Sequence, residues 1–184
     1  MIRIPAAIFD EVVAHYGVYF ERTSKVPARK LASDVLNEEK VHDQMALLCR
    51  VLGASAESLR GKRVLEIGSG FGLFVAVARL HYGMESYGLE PAAAGFASSH
   101  HTSLEILRAN GLDPDIIVNA TGEAIPFPDD HFDVLFSSTA LEHTQSPERV
   151  LDESVRVLEP GGCLHFVFPN YGSFFEGRYA LPWI

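Results

Sequence analysis

The chain has 184 residues, 47% hydrophobic and 21% charged, one domain's length of ordinary globular composition, which excludes a disordered or fibrous protein. Fifteen Lys plus Arg stand against 24 Asp plus Glu, and the resulting −9 argues against a nucleic-acid partner. The mean hydropathy of +0.09 suits a parallel sheet covered on both faces, because such strands are apolar throughout.

The charge is spread unevenly. Residues 1–62 carry nine basic and eight acidic side chains, whereas residues 63–184 carry six and sixteen. This shift from +1 to −10 suggests an N-terminal helical cap or lid, residues 1–60, attached to an acidic core, residues 61–184. Cys49 and Cys163 fit no metal or redox spacing and read as reduced packing residues. The opening MIRIPAAIFDEVV reaches Asp10 and Glu11 too early for a signal peptide, and no apolar run approaches ~18 residues. A cytoplasmic protein with no membrane span is expected.

In chain order, apolar spacing predicts helices over Asp10 to Phe20 and over Leu31 to Leu52. Thr23 to Lys30, which contains Pro27, reads as a loop between them. After Gly53 short apolar runs alternate with helical stretches. Strands are predicted at Arg63–Ile67, Ser86–Leu89, Ile116–Val118, Phe132–Phe136 and Cys163–Phe168. Helices fall between them at Gly72–Tyr82, Ala93–Asn110 and Pro147–Leu158, the last with Ser146 as N-cap. This alternation means an α/β fold: a doubly wound, mostly parallel sheet with helices on both faces. Ligands of such sheets bind beyond the carboxyl ends of the strands.

Arg63-Val-Leu-Glu-Ile-Gly-Ser-Gly-Phe-Gly72 is the most informative segment. An apolar strand carrying Glu66 near its end runs into Gly68, Ser69, Gly70 and Gly72, which turn the chain into a helix. Glycines serve where a turn demands positive φ or where a ligand approaches the backbone. The dinucleotide fingerprint G-x-G-x-x-G fails because position 73 is Leu, and no G-K-[ST] follows for a P-loop. A carboxylate at Glu66 would repel a pyrophosphate and suits a ligand carrying an ammonium group. Gly88-Leu-Glu-Pro91 then ends the second strand, and an acid there can accept both hydroxyls of a ribose.

Together these motifs resemble those of class I S-adenosylmethionine-dependent methyltransferases. The resemblance continues through Glu123-Ala-Ile-Pro-Phe-Pro-Asp-Asp-His-Phe-Asp133, Leu141-Glu-His143 and Arg156-Val-Leu-Glu-Pro-Gly-Gly162. This series is similar to the small-molecule, ubiquinone-biosynthesis-like branch (methyltransferase type 11) and spans roughly residues 60–170. It implies that Glu66, Gly68, Ser69, Gly70, Phe71 and Gly72 hold the methionine end of S-adenosylmethionine. Glu90 and Pro91 would meet the ribose, Thr121, Gly122 and Glu123 would flank the adenine, and Ser138 would complete the site. No metal is expected. Two departures stand out. The family usually has an acid where Thr121 stands, and it continues after strand five into a helix and two further strands, whereas only 15 residues follow Pro169, so that either the chain is a fragment or the edge of its sheet is built differently.

His143 follows strand four at the pocket rim and can act as general base on an acceptor hydroxyl. A structural, hydrogen-bonded role is the bland alternative. Tyr16 and Tyr19 are candidate lid residues and Asn170 and Tyr171 candidate acceptor contacts. Asp129, Asp130 and Asp133 read as solvated loop acids, and His165 as a buried, satisfied strand residue. Arg22, Lys25, Arg29 and Lys30 concentrate in the predicted loop, where they form either a solvated surface patch or a lid that favours an acceptor with negative charge. The leading reading is in-line methyl transfer to a small-molecule acceptor. A non-catalytic or partner-dependent S-adenosylmethionine-binding module stays open beside it. A nicotinamide-dependent oxidoreductase is disfavoured by Leu73 and Glu66.

Overall fold

Arg63–Ile67 (β1) is the central strand of a five-stranded parallel sheet, and both its faces are covered. The structure is a computed structural model describing residues 1–20, 26–92, 97–168, 175–176 and 181–182, without the side chains of 19–20, 175–176 and 181–182. Three helices precede β1: α1 (Ala6–Phe20), α2 (Ala28–Val35) and α3 (Glu38–Leu52). There follow α4 (Leu73–Tyr82), β2 (Glu85–Leu89), α5 (Ala97–Ala109), β3 (Ile117–Val118), β4 (Phe132–Ser138), α6 (Pro147–Val157) and β5 (Leu158–Val167). The strand order is β3-β2-β1-β4-β5. The order reverses between β1 and β4, which is where ligands of doubly wound sheets bind.

Side-chain alternation divides the core between the two faces. Val64, Val134 and Phe136 pack with α1, α3 and α4, and Phe74 stacks on Phe136 with centroids 4.4 Å apart. Leu65, Ile67 and Leu135 meet Val150 and Val157 of α6 on the other face. Ile8 and Val12 of α1 and Met45 and Leu48 of α3 belong to the first of these clusters. The N-terminal segment therefore shares the core of the sheet.

Several expectations change in detail. The helix predicted over Leu31 to Leu52 is two helices. Asn37 is extended, and its side chain accepts from the Glu39 amide at 2.9 Å, capping α3. Asparagine and two acids in the first turn start a new helix more readily than they continue an old one. Arg29 and Lys30, placed by sequence in a loop, lie on α2 and pair with Asp10 and Asp34. Arg22 and Lys25 lie outside the described residues. The last strand starts at Leu158 rather than Cys163, because a register shift against β4 absorbs Glu159 to Gly162. Asp133 is no solvated loop acid. It stands on β4, accepts from the Arg63 amide at 2.8 Å and pairs with Lys62.

Among the described residues the main sheet ends at β5. Phe175–Glu176 (β6) and Leu181–Pro182 (β7) pair with each other in a separate antiparallel ladder. No described helix is long and apolar enough to cross a membrane.

Candidate cofactor site

Between β1 and α4 the three loop glycines all have left-handed backbone: φ is +75° at Gly68, +53° at Gly70 and +73° at Gly72. Each meets different surroundings. A Cβ on Gly68 would lie 2.3 Å from the Ala140 Cβ, so the loop after β4 closes directly on this position. A Cβ on Gly72 would press on Ser103 of α5 at 3.1 Å. A Cβ on Gly70 would meet no described atom within 4 Å, so that side of the backbone faces open space. Packing demands glycine at 68, whereas at 70 only the left-handed conformation does.

Two buried acids flank this loop. Glu90, immediately after β2, is 3% exposed and holds the loop in place. The Gly70 amide donates to its Oε2 at 2.8 Å and the Ser99 hydroxyl to its Oε1 at 2.7 Å. Burial pushes its carboxyl up, and these two bonds oppose that push. Glu66 is 7% exposed, and its buried Oε2 has no hydrogen-bond partner among the described residues. Burial, and then the neighbouring Glu90 charge, hold its carboxyl well above the ordinary carboxylate range. A buried carboxylate oxygen without a donor is costly unless something binds there. The buried Ser69 hydroxyl is also without a partner among the described residues. An ammonium donor would complement Glu66, and the open backbone at Gly70 leaves it room to arrive. The residues present thus fit an amino-acid-bearing nucleoside cofactor.

Phe71 is buried beneath α1. Its ring meets His15 edge-on at 5.5 Å and Tyr16 at 6.2 Å, while His15 Nδ1 lies 2.7 Å from the Ser98 hydroxyl of α5. Tyr16 is therefore brought to the glycine loop. The Tyr19 side chain, Asn170 and Tyr171 lie outside the described residues.

The other candidates divide. Pro91 leaves β2 half-buried, and the next amide, of Ala92, donates to Asn119 Oδ1 at 2.8 Å. Thr121 is exposed beside Glu123. Gly122 is buried, with room for no Cβ between Ile67 and Val150. Glu123 accepts from the Gln145 amide at 2.8 Å, so its carboxylate is committed to the turn before α6. Ser138 is half-buried at the end of β4, and His143 is exposed on the 3-10 turn Leu141–His143 that follows. His165 stacks on Phe136 and is only half-buried, and its buried Nε2 has no partner among the described residues, so the expected buried, satisfied histidine is not what stands there. Sequence reasoning missed Ser99, Asn119 and Ala140. All three act on this loop or on the β2 exit from other elements, and nothing in local spacing signals them.

A doubly wound parallel sheet with a glycine loop and buried acids at two adjacent strand ends defines a Rossmann-like cofactor-binding domain. Residues 65–166, more than half of the chain, match the family model described as a methyltransferase domain. The chain belongs to this methyltransferase domain family. An uncharacterized methyltransferase of Mycolicibacterium vanbaalenii is 38% identical over 109 residues, 59% of this chain and 40% of the relative. The chain spans about two-fifths of the length of the curated relatives it matches. Among solved structures, the Bacillus subtilis YcgJ protein is similar with TM-score 0.54 and 26% identity, over 67% of this chain and 49% of that one. A Haemonchus contortus phosphoethanolamine N-methyltransferase, solved with S-adenosylhomocysteine, shares the fold at TM-score 0.55 and 20% identity, over 83% of this chain and 31% of that one.

Proposed function

We propose that the chain binds S-adenosylmethionine and carries out methyl transfer to a small-molecule acceptor. The observation that carries this reading is the buried, partnerless Oε2 of Glu66 beside the open Gly70 backbone. Glu66 receives the cofactor's ammonium group, and Glu90 adds the ribose hydroxyls to the two protein donors it already holds. Bound S-adenosylmethionine supplies a methyl group already activated on a sulfonium. The protein's work is alignment of the acceptor and exclusion of water. Phe71 and Tyr16 contribute to the second task, with residues 1–60 serving as a cap that closes on the loop. For a hydroxyl acceptor, His143 is the candidate base, reached from the end of β4. No metal takes part in this transfer. The acidic surface charge supports a small molecule rather than a nucleic acid as acceptor, and the two free cysteines support a cytoplasmic setting.

Calorimetric titration with S-adenosylhomocysteine tests the reading. Stoichiometric binding that weakens about 10-fold or more in Glu66→Gln supports it, and no binding to the folded wild type refutes it. A second reading is a cofactor-binding module that needs a partner for catalysis. Binding without turnover on any acceptor distinguishes it.

A further inference from the structure

Helix α4 starts at the glycine loop, at the carboxyl end of β1, and ends at the amino end of the strands, where the chain turns back into β2. There, remote from the cofactor site, Glu38 and His42 of α3 meet His81 in the last turn of α4. Glu38 Oε1 lies 3.1 Å from His81 Nε2 and 3.5 Å from His42 Nε2. One donor atom from each residue lies within 4.8 Å of the other two. We propose that Glu38, His42 and His81 form a zinc-type divalent metal site that staples α3 to the end of α4.

Three features make this more than a chance meeting of polar groups. The first is spacing. Zinc bonds to nitrogen and oxygen of about 2.0–2.1 Å place tetrahedral ligand atoms about 3.3 Å apart. The two carboxylate–imidazole distances bracket that value. The second is orientation by outer partners. The Ile2 amide donates to Glu38 Oε2 at 2.6 Å, which leaves Oε1 turned toward both imidazoles. Tyr82 hydroxyl lies 2.9 Å from His42 Nδ1. With Nδ1–H donating to that hydroxyl, Nε2 carries the lone pair on the Glu38 side. The third is ligand chemistry. Two imidazoles and one carboxylate are a donor set that zinc accepts, with a fourth position left to solvent.

The Met1 ammonium, 3.8 Å from Oε1 and almost fully exposed, is the cation a metal would displace. Spacing of Glu38 and His42 by one helical turn is common and signals nothing alone. The third ligand comes from another helix, so the sequence leads to an expectation of no metal. The proposal departs from that expectation and does not rest on the proposed function.

The test uses the full chain, stripped with a chelator and titrated calorimetrically with Zn²⁺, with Mg²⁺ as control. One equivalent of Zn²⁺ binds, Mg²⁺ does not, and Tm rises by about 5–10 °C at Zn²⁺ a hundredfold above Kd. Co²⁺ in its place gives the visible absorption of a tetrahedral centre. His81→Ala, at a solvent-reachable position, weakens Zn²⁺ by more than about 100-fold and Tyr82→Phe by about 10-fold, as for a ligand and an outer partner. S-adenosylhomocysteine affinity of His81→Ala is unchanged, which separates this site from the other. No stoichiometric Zn²⁺ binding overturns the proposal. So does binding that survives unaltered in both His81→Ala and His42→Ala.

Discussion

The amide of Gly70 donates to Glu90 Oε2 at 2.8 Å, tying the loop after β1 to the acid that ends β2. Ser99 of α5 holds the other carboxylate oxygen at 2.7 Å, so one side chain organises three elements. A ligand that uses Glu90 therefore meets a group already oriented, and little ordering cost remains at binding.

Glu90→Ala removes the ribose acceptor and leaves buried donors unpaired, at about 1–3 kcal/mol. S-adenosylhomocysteine affinity should fall about 5- to 150-fold by calorimetry, since 1.4 kcal/mol is a factor of ten. Thermal stability should fall too, because the Gly70 amide loses its partner. Unchanged affinity in a folded variant would sink the assignment.

Glu66 carries the opposite balance. Its carboxyl is raised in the folded chain, so the ionised form costs stability above the folded-state pKa, and that cost vanishes below the ordinary carboxyl range. Glu66→Gln should therefore be more stable than wild type near neutral pH, by about 2–4 °C or more, the shift that ~1 kcal/mol makes at this size. The same variant should bind S-adenosylhomocysteine about 10-fold or more weakly, because bonds to charged groups contribute about 1.5–3 kcal/mol. Wild-type affinity should rise with pH as Glu66 ionises. Melting curves and titrations over a pH series check all three.

The loop glycines should separate folding from binding. Gly68→Ala drives a Cβ into Ala140 and should destabilise the fold by about 1–3 kcal/mol from overpacking. Gly70→Ala meets no atom and should cost only the left-handed backbone penalty of about 1–2 kcal/mol. Gly70→Val should abolish cofactor binding while the chain remains folded. Circular dichroism beside calorimetry distinguishes the two positions. Normal binding by Gly70→Val would mean that the loop does not touch the ligand.

Arg156 pins the segment before β4 by donating to the Ile125 and Phe127 carbonyls, and it pairs with Glu153 and Asp129. The Arg156 hydrogen bonds lower the Glu153 carboxyl to about 2. This depressed value contributes stability that is present above the unfolded value of 4.5 and is lost as pH falls through about 2. Wild type should accordingly melt above Glu153→Gln at neutral pH, and the difference should close in that acid window. A difference independent of pH would refute the pairing as its cause.

The cap reading of residues 1–60 has its own test. Because Ile8 and Val12 belong to the core, deleting α1 would damage the fold itself. Limited proteolysis is cleaner. S-adenosylhomocysteine should protect residues 15–35 from cleavage, and Phe71→Ala should weaken that protection. Equal cleavage with and without ligand would refute closure of the cap.

Contiguous residues carried most of the fold. The limits of β1 are those its apolar run predicts, and Ser146 caps α6 through the Arg149 amide, because strand period and cap chemistry are local properties. The positions of Glu66 and Glu90 were legible for the same reason, each lying at a strand end beside its glycines. Which groups answer those acids depended on packing. Ser99 reaches Glu90 from another helix, and no described residue reaches Glu66 Oε2. Asp133 looked solvated until the β1–β4 pairing set it beside Lys62 and Arg63, and Glu123, expected beside the adenine, is engaged by the turn before α6. His81 meets Glu38 and His42 only because α3 packs against the end of α4. Local periodicity determines where elements begin and end, but a side chain's partner across elements exists only once the helices have docked on the sheet.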